Sequence, residues 1–362
     1  MGIIRFLLAI IVVIEHSKPI FGFVSTGGLI AVQTFFIISG FYMSLILNEK
    51  YVGKNDSFKL FITNRFLRLF PVYWAVLILT LVCSLITLYA GCSGFKLDVW
   101  LEHAGNLNLV SILFLIFTNL FMFGQDAVMF LKLDTLTGAL GFTSDYFNTS
   151  PQLNYFLMIP QAWSLGLELL FYLVAPFLVR RKKAVIIALI AGSLLLRLAI
   201  YSQGLYYDPW LYRFFPTELG LFLFGVISYW IYRHIKSKKI DSRIPFAMLV
   251  VITWFILLFQ YLPFTVSKQW FFYILMVLFI PFIFNFTKKI KADNLIGELS
   301  YPIYISQVLV IYIVSLYIPS NLVYFGIVSI IATVIFSAII QYIVNEPVEK
   351  YRQHRVKGTG IN

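Results

Sequence analysis

Arg5-Phe6-Leu7-Leu8-Ala9-Ile10-Ile11-Val12-Val13-Ile14-Glu15-His16 is a nearly unbroken apolar run with a cation at one end and an imidazole at the other. At about 100° per residue, the steps from Arg5 to His16 make three turns plus roughly 20°. A helix therefore sets both side chains on one face, about 16 Å apart along the axis. Read as a membrane span with its N-terminus in the cytoplasm, the run places Arg5 at the inner surface and His16 in the outer half. An ionisable group at that depth is costly and marks a functional site. The alternative is that His16 only closes the helix at the lipid interface.

The rest of the chain has the same character. Of 362 residues, 60% are hydrophobic, 18% aromatic and only 12% charged. No soluble class has this composition, so the chain reads as an all-α polytopic membrane protein. No small-residue cleavage site follows the first run, and later segments are as hydrophobic, so it is a span and not a signal peptide. Phe6 stands where a myristoylation signal needs Ser or Thr. The net charge of +12 comes from basic residues in loops, where it sets topology; no nucleic acid is expected as partner. Cys83, Cys92 and the four histidines lack metal-ligand spacing, so no metal is expected. A Cys83–Cys92 disulfide stays open.

Hydrophobic segments fall at residues 3–24, 29–47, 71–92, 161–179, 184–202, 216–232, 245–262, 269–286, 296–316 and 322–344. Basic junctions lie at 65–68, 180–183, 233–239, 288–291 and 350–357. Placing each junction in the cytoplasm gives about ten spans with both termini inside. The polar loop 48–64, with Lys50, Lys54 and Lys59, precedes Arg65 and Arg68 at the entry to the third span. Segment 107–124 is also apolar, but a full crossing there would turn Arg180–Lys183 outward. It is therefore read as a re-entrant or interfacial element within an outer segment, 93–160. Residues 1–346 read as one membrane-embedded domain, and 347–362 as a short basic cytoplasmic tail.

The chemistry gathers on a few spans. Ser164, Glu168 and Tyr172 are spaced i, i+4, i+8, a polar stripe on one helix face. With that span starting outside, Glu168 lies about two turns down, near the depth read for His16. A histidine and a carboxylate at one height suit a general base and its partner; they equally suit a pair that locks two helices. Arg65 and Arg68 fit either positive-inside topology or an anionic, phosphate-bearing ligand. Ser39-Gly40, closing an aromatic run, lets another backbone or a ligand come close. Arg197, Arg213 and Glu218 sit in the outer half, where an Arg197–Glu218 pair and acceptor binding are both open. Trp100, Tyr146 and Tyr155 of the outer segment are candidate ligand contacts.

Taken together, the chain resembles the membrane-bound acyltransferase 3 family over essentially its whole length. The resemblance rests on Arg5 and His16 with ten residues between them, Phe35-Phe36-x-x-Ser39-Gly40-Phe41, Arg65-x-x-Arg68-x-x-Pro71-x-Tyr73, Trp163-Ser164-Leu165-x-x-Glu168 and Leu299-Ser300-Tyr301-x-x-Tyr304. It implies an O-acyltransferase that moves acetyl from acetyl-CoA, as co-substrate, to a sugar hydroxyl of a bacterial surface glycan such as O-antigen or exopolysaccharide. His16 would be catalytic, and Arg5, Arg65 and Arg68 would serve the acyl donor. Glu168 would support the imidazolium; Ser164, Tyr172, Arg197, Arg213 and Glu218 are read as substrate-binding. The family's Ser-Tyr-x-x-Tyr motif is often followed three residues on by histidine; here Gln307 stands there and cannot act as a base. No appended hydrolase-like domain follows Glu346-Pro347. The expected setting is the bacterial inner membrane, among lipids, with oligomeric state open. The alternative class is a proton- or ion-coupled transporter, since buried charges also mark ion paths, but no inverted repeat is visible.

Overall fold

The computed structural model describes residues 1–20, 22, 25–51, 57–263 and 268–358. In chain order the helices are α1 (Gly2–His16), α2 (Gly27–Glu49), α3 (Ser57–Tyr89), α4 (Asp98–His103), α5 (Leu109–Phe121), α6 (Gln125–Val128), α7 (Trp163–Leu178), α8 (Lys183–Ser202), α9 (Phe215–Ile235), α10 (Arg243–Leu258), α11 (Lys268–Thr287), α12 (Lys291–Glu298), α13 (Ser300–Tyr317), α14 (Phe325–Ile340) and α15 (Glu346–Gly358). A small antiparallel hairpin, β1 (Leu131–Leu133) with β2 (Leu140–Phe142), lies between α6 and α7. Among the described residues, nine helices are long and apolar enough to cross a membrane. The chain is a multi-pass membrane protein.

α2 is apolar around its whole circumference and is buried on all sides, as such a helix must be. It meets α9 at two glycines. A Cβ on Gly40 would stand 1.8 Å from the Phe222 carbonyl oxygen, and one on Gly225 2.1 Å from that of Ile37. The close approach expected of Ser39-Gly40 is thus backbone against backbone. α8 and α10 lie outside, with Leu195, Leu198 and Trp254 well exposed, a surface suited to lipid.

α1 and α13 run parallel. The Arg5 guanidinium donates to Ser300 Oγ at 2.9 Å at one end, and Lys18 Nζ donates to the Asn321 carbonyl at 2.6 Å beyond the other. Asp293 caps α1, accepting from the N–H groups of Gly2 at 2.7 Å and Ile3 at 3.0 Å, two donors that a helix start leaves free.

Three boundaries differ from the sequence reading. The first span, read as 3–24, ends at His16. Pro19 follows and cannot donate to a helix, and it disfavours helix in the residue before it. At 15 residues, α1 is about 22 Å long, short of a ~30 Å hydrocarbon core. The third span begins at Ser57, so Arg65 and Arg68 lie inside α3, two to three turns from its start, and not at its entry. Lys54 of the preceding loop lies outside the described residues. Third, the tail is helical: a single π turn (Gln341–Asn345) leads into α15. Arg355 there donates to Thr63 Oγ1 at 3.0 Å and Asn64 Oδ1 at 3.3 Å of α3. Residues 359–362 lie outside the described residues.

Segment 107–124 holds α5, whose 13 residues reach about 20 Å and cannot cross. Its Leu109, Val110, Leu113, Ile116, Phe117 and Leu120 are exposed. Its far end is sunk in the bundle: the Tyr73 hydroxyl donates to the Asn119 carbonyl at 2.5 Å and Trp74 Nε1 to that of Leu120 at 2.9 Å. The chain reverses there through left-handed Met122 (φ 61°) and Gly124 (φ 80°). α5 is therefore re-entrant, reaching about the middle of α3.

Candidate active site

Arg5 of α1, Arg65 and Arg68 of α3, and Ser164, Glu168 and Tyr172 of α7 line one cavity of about 360 Å³. The stripe on α7 faces this cavity as its spacing implies. Glu168 Oε1 accepts from Ser39 Oγ at 2.6 Å and from the Tyr172 hydroxyl. Ser164 Oγ bonds the Tyr304 hydroxyl at 2.6 Å, and Tyr301 donates to the Leu69 carbonyl at 2.6 Å. The Ser-Tyr-x-x-Tyr motif therefore ties α13 to α7 and α3 around the cavity.

The arginines are poorly matched by protein groups. Arg5 keeps its bond to Ser300 and lies 6.0 Å over the Tyr42 ring. Arg65 is 7% exposed, its Nε is buried without a partner, and it lies about 6 Å from the Phe61 and Tyr172 rings. Five cationic side chains and two carboxylates line the cavity, a formal excess of three positive charges. Buried cations without counter-charges are costly, and here they suit a polyanionic ligand.

His16 lies elsewhere. It is exposed at the end of α1 and does not line the cavity. Its Nδ1 is 2.8 Å from the Val12 carbonyl oxygen. That contact requires the proton on Nδ1 and leaves the Nε2 lone pair free, the form a general base needs. The expected pairing with Glu168 is not made. Arg5 sits by Tyr42 of α2, and Glu15 packs on Gly28 of the same helix. Ser39, which holds Glu168, is about 4.5 Å along α2 from Tyr42 and about 16 Å from Gly28. Glu168 is thus near the Arg5 end of α1. The reason is the entry to α7: Leu153 and Phe156 pack in the core of the 93–160 segment, and from Ile159 the chain enters the bundle, with Gln161 Nε2 bonded to the Ile305 carbonyl at 2.7 Å. The helix starts deep, and every residue on it is deeper than a start at the surface would give.

Arg197, Arg213 and Glu218 do not line this cavity. Arg197 Nη2 bonds Glu218 Oε1 at 2.6 Å, and Gln33 Nε2 bonds both Glu218 oxygens at 2.9 and 3.1 Å. Tyr273 donates to Gln33 Oε1 at 2.5 Å. The cluster fastens α2, α8, α9 and α11 together. Arg213 forms a fork with Asp208, both bonds 2.7 Å, and stacks 4.3 Å over Trp163. Asp208 also accepts from Tyr146 at 3.1 Å, so Arg213 pins the outer segment to the start of α7. All three side chains are held by protein partners.

A family model described as an acyltransferase domain, acyltransferase 3, matches residues 1–342 of the chain. The chain belongs to this family. It is a membrane acyltransferase. No curated protein and no solved structure matches the chain.

The cavity of this acyltransferase has walls that sequence reasoning missed. Tyr42 of α2 supplies a ring face to Arg5; its place three residues after Ser39 was the available signal. Glu349 and Arg352 of α15 also line the cavity, and nothing in a basic tail announced that. Gln307 is fully buried, and its Nε2 donates to the Tyr304 carbonyl at 3.2 Å. In the outer segment, Trp100 bonds the Phe156 carbonyl at 3.0 Å, and Tyr146 is buried. Tyr155, by contrast, lines an open cleft of about 420 Å³. Phe95 of that cleft stacks on Tyr312, ring centroids 3.8 Å apart, far along α13 from Ser300. The cleft and His16 therefore share one end of the bundle.

Proposed function

We propose that this acyltransferase transfers acetyl from acetyl-CoA to a sugar hydroxyl of a bacterial surface glycan, an O-antigen or exopolysaccharide repeat, at the inner membrane. The observation that carries the reading is the cavity at the Arg5 end of α1, with its excess of three positive charges, while His16 stands at the other end of the same helix with Nε2 free. The donor's phosphates belong with Arg5, Arg65 and Arg68 on the cytoplasmic side. Its long arm bridges the about 16 Å to His16. Glycan enters from the opposite side, where the Tyr155 cleft lies.

In the reaction, His16 Nε2 takes the proton of the acceptor hydroxyl as its oxygen bonds to the thioester carbonyl carbon. The carbon–sulfur bond then breaks, and the leaving thiolate takes its proton from the imidazolium. Glu168 acts on the donor side, holding Ser39 and Tyr172 beside the arginines.

The test is the acetyl content of surface polysaccharide, by mass spectrometry, from cells with wild type or His16→Ala at equal protein level. The expected result is acetylation with wild type only, a loss of at least a hundredfold. Equal acetylation would remove His16 from the chemistry.

A further inference from the structure

The family match stops at residue 342, but the cavity wall continues past it. Beyond the π turn, α15 contributes Glu349 and Arg352 to the lining. Arg352 is 8% exposed. Its Nη1 donates to Glu349 Oε2, and its Nε is buried with no partner. Arg65 and Arg68 are close enough to repel it. The helix is held there by the bonds of Arg355 to Thr63 and Asn64, next in sequence to Arg65. A third guanidinium pressed toward two others is unfavourable unless an anion joins them. Glu349, from Arg352's own helix, and Glu168 answer only two of the cavity's five positive charges.

We propose that Arg352 is a phosphate-binding residue of the donor site, and that Glu349 occupies its guanidinium until the donor arrives. Binding then exchanges a carboxylate for a phosphate on the same planar fork. The assignment rests on the acetyl-CoA reading above. It requires opposite effects from two neighbours: loss of Arg352 weakens donor binding, and loss of the Glu349 charge strengthens it. An anionic lipid headgroup shares the phosphate chemistry, so the experiment includes one.

Coenzyme A is titrated calorimetrically onto the full-length protein in phosphatidylcholine nanodiscs, with and without phosphatidylglycerol. Arg352→Gln weakens binding about tenfold, the worth of one charge-assisted hydrogen bond. Glu349→Gln tightens it severalfold. Lys350→Gln leaves it unchanged, since Lys350 is exposed and paired with Glu346 at 2.9 Å. Tightening cannot arise from misfolding, so Glu349→Gln decides the matter even where Arg352→Gln fails to fold. Absence of coenzyme A binding to wild type overturns the donor reading and this assignment with it. Wild-type binding that neither variant alters overturns this assignment alone. So does competition by phosphatidylglycerol that Arg352→Gln abolishes while coenzyme A affinity stays equal, because Arg352 then serves a lipid.

Discussion

Arg65 and Arg197 are both arginines held inside the bundle, and they lie in opposite circumstances. Arg197 has a carboxylate at 2.6 Å and two further bonds, to the carbonyls of Leu211 and Thr217. Arg65 makes no hydrogen bond or ion pair among the described residues and has cationic neighbours; ring faces and an unpaired Nε it shares with Arg197. Depth and charge alone do not separate a binding site from a structural lock. The balance of charge does. Around Arg197 the protein has supplied the counter-charge, so nothing is left for a ligand. Around Arg65 the cavity's two carboxylates leave an excess of three positive charges, and an anionic ligand has the sign to answer it.

The largest effect expected from this contrast is on stability. Arg197→Ala leaves Glu218, which is fully buried, without its cation. Breaking a buried pair from one side costs about 3–5 kcal/mol. Size-exclusion monitored thermal unfolding in detergent should show a strongly lowered midpoint. Arg197→Met with Glu218→Gln should recover most of it, because neither charge is then stranded. Activity per folded molecule stays near wild type in the double variant. A double variant that is stable and inactive would return these residues to the acceptor site.

Arg65→Gln should do the reverse. Removing one cation from a cavity with an excess of three relieves repulsion, so the thermal midpoint holds or rises slightly. Donor binding falls by about a hundredfold, as the loss of a guanidinium fork to phosphate implies. Titration with coenzyme A checks it. Equal affinity in wild type and variant, with the fold intact, would mean that Arg65 serves only the bundle.

The contrast explains how much was legible in the sequence. The long apolar helices and the short apolar helix α5 followed from hydropathy, because the bilayer forces every backbone group to be satisfied within helices. The Ser164–Glu168–Tyr172 stripe, and Arg65 with Arg68 on one face of α3, followed from helical spacing; that the two line one cavity did not. Depth did not. Glu168 was set too near His16 because α7 begins below a buried approach, residues 159–162, whose entry into the bundle has no local signal. Arg197 and Glu218 were given two readings because a sequence shows charges and not partners. Gln33, which completes their cluster from α2, sits in a largely apolar helix with no spacing that ties it to α8 or α9. Arg352 was hidden for another reason: α15 follows a π turn in a charged tail, and its burial depends on Thr63 and Asn64, nearly three hundred residues earlier.

Asp126 offers the smallest and sharpest test, since it is a partly buried acid whose cation stands at a distance. It lies in α6 against the start of α7, where a Cβ on Gly166 would be 3.3 Å from its Oδ1, and Oδ1 has no partner. Burial pushes its carboxyl up to about 6; backbone N–H groups and the charge of Arg213 only partly oppose this. A folded-state value above the unfolded one near 4 means that the neutral acid favours the fold. That contribution is complete below about pH 4 and is lost as pH rises through about 6. Asp126→Asn should therefore raise the thermal midpoint at pH 7.5, by an amount corresponding to about 1–2 kcal/mol once the amide's own unmet bonds are allowed for. The two proteins should converge as pH falls toward 4. A midpoint lowered by the substitution at pH 7.5 would show that the ionised Asp126 is matched by Arg213 after all, and would move it from the unpaired side of the comparison to the side of Glu218.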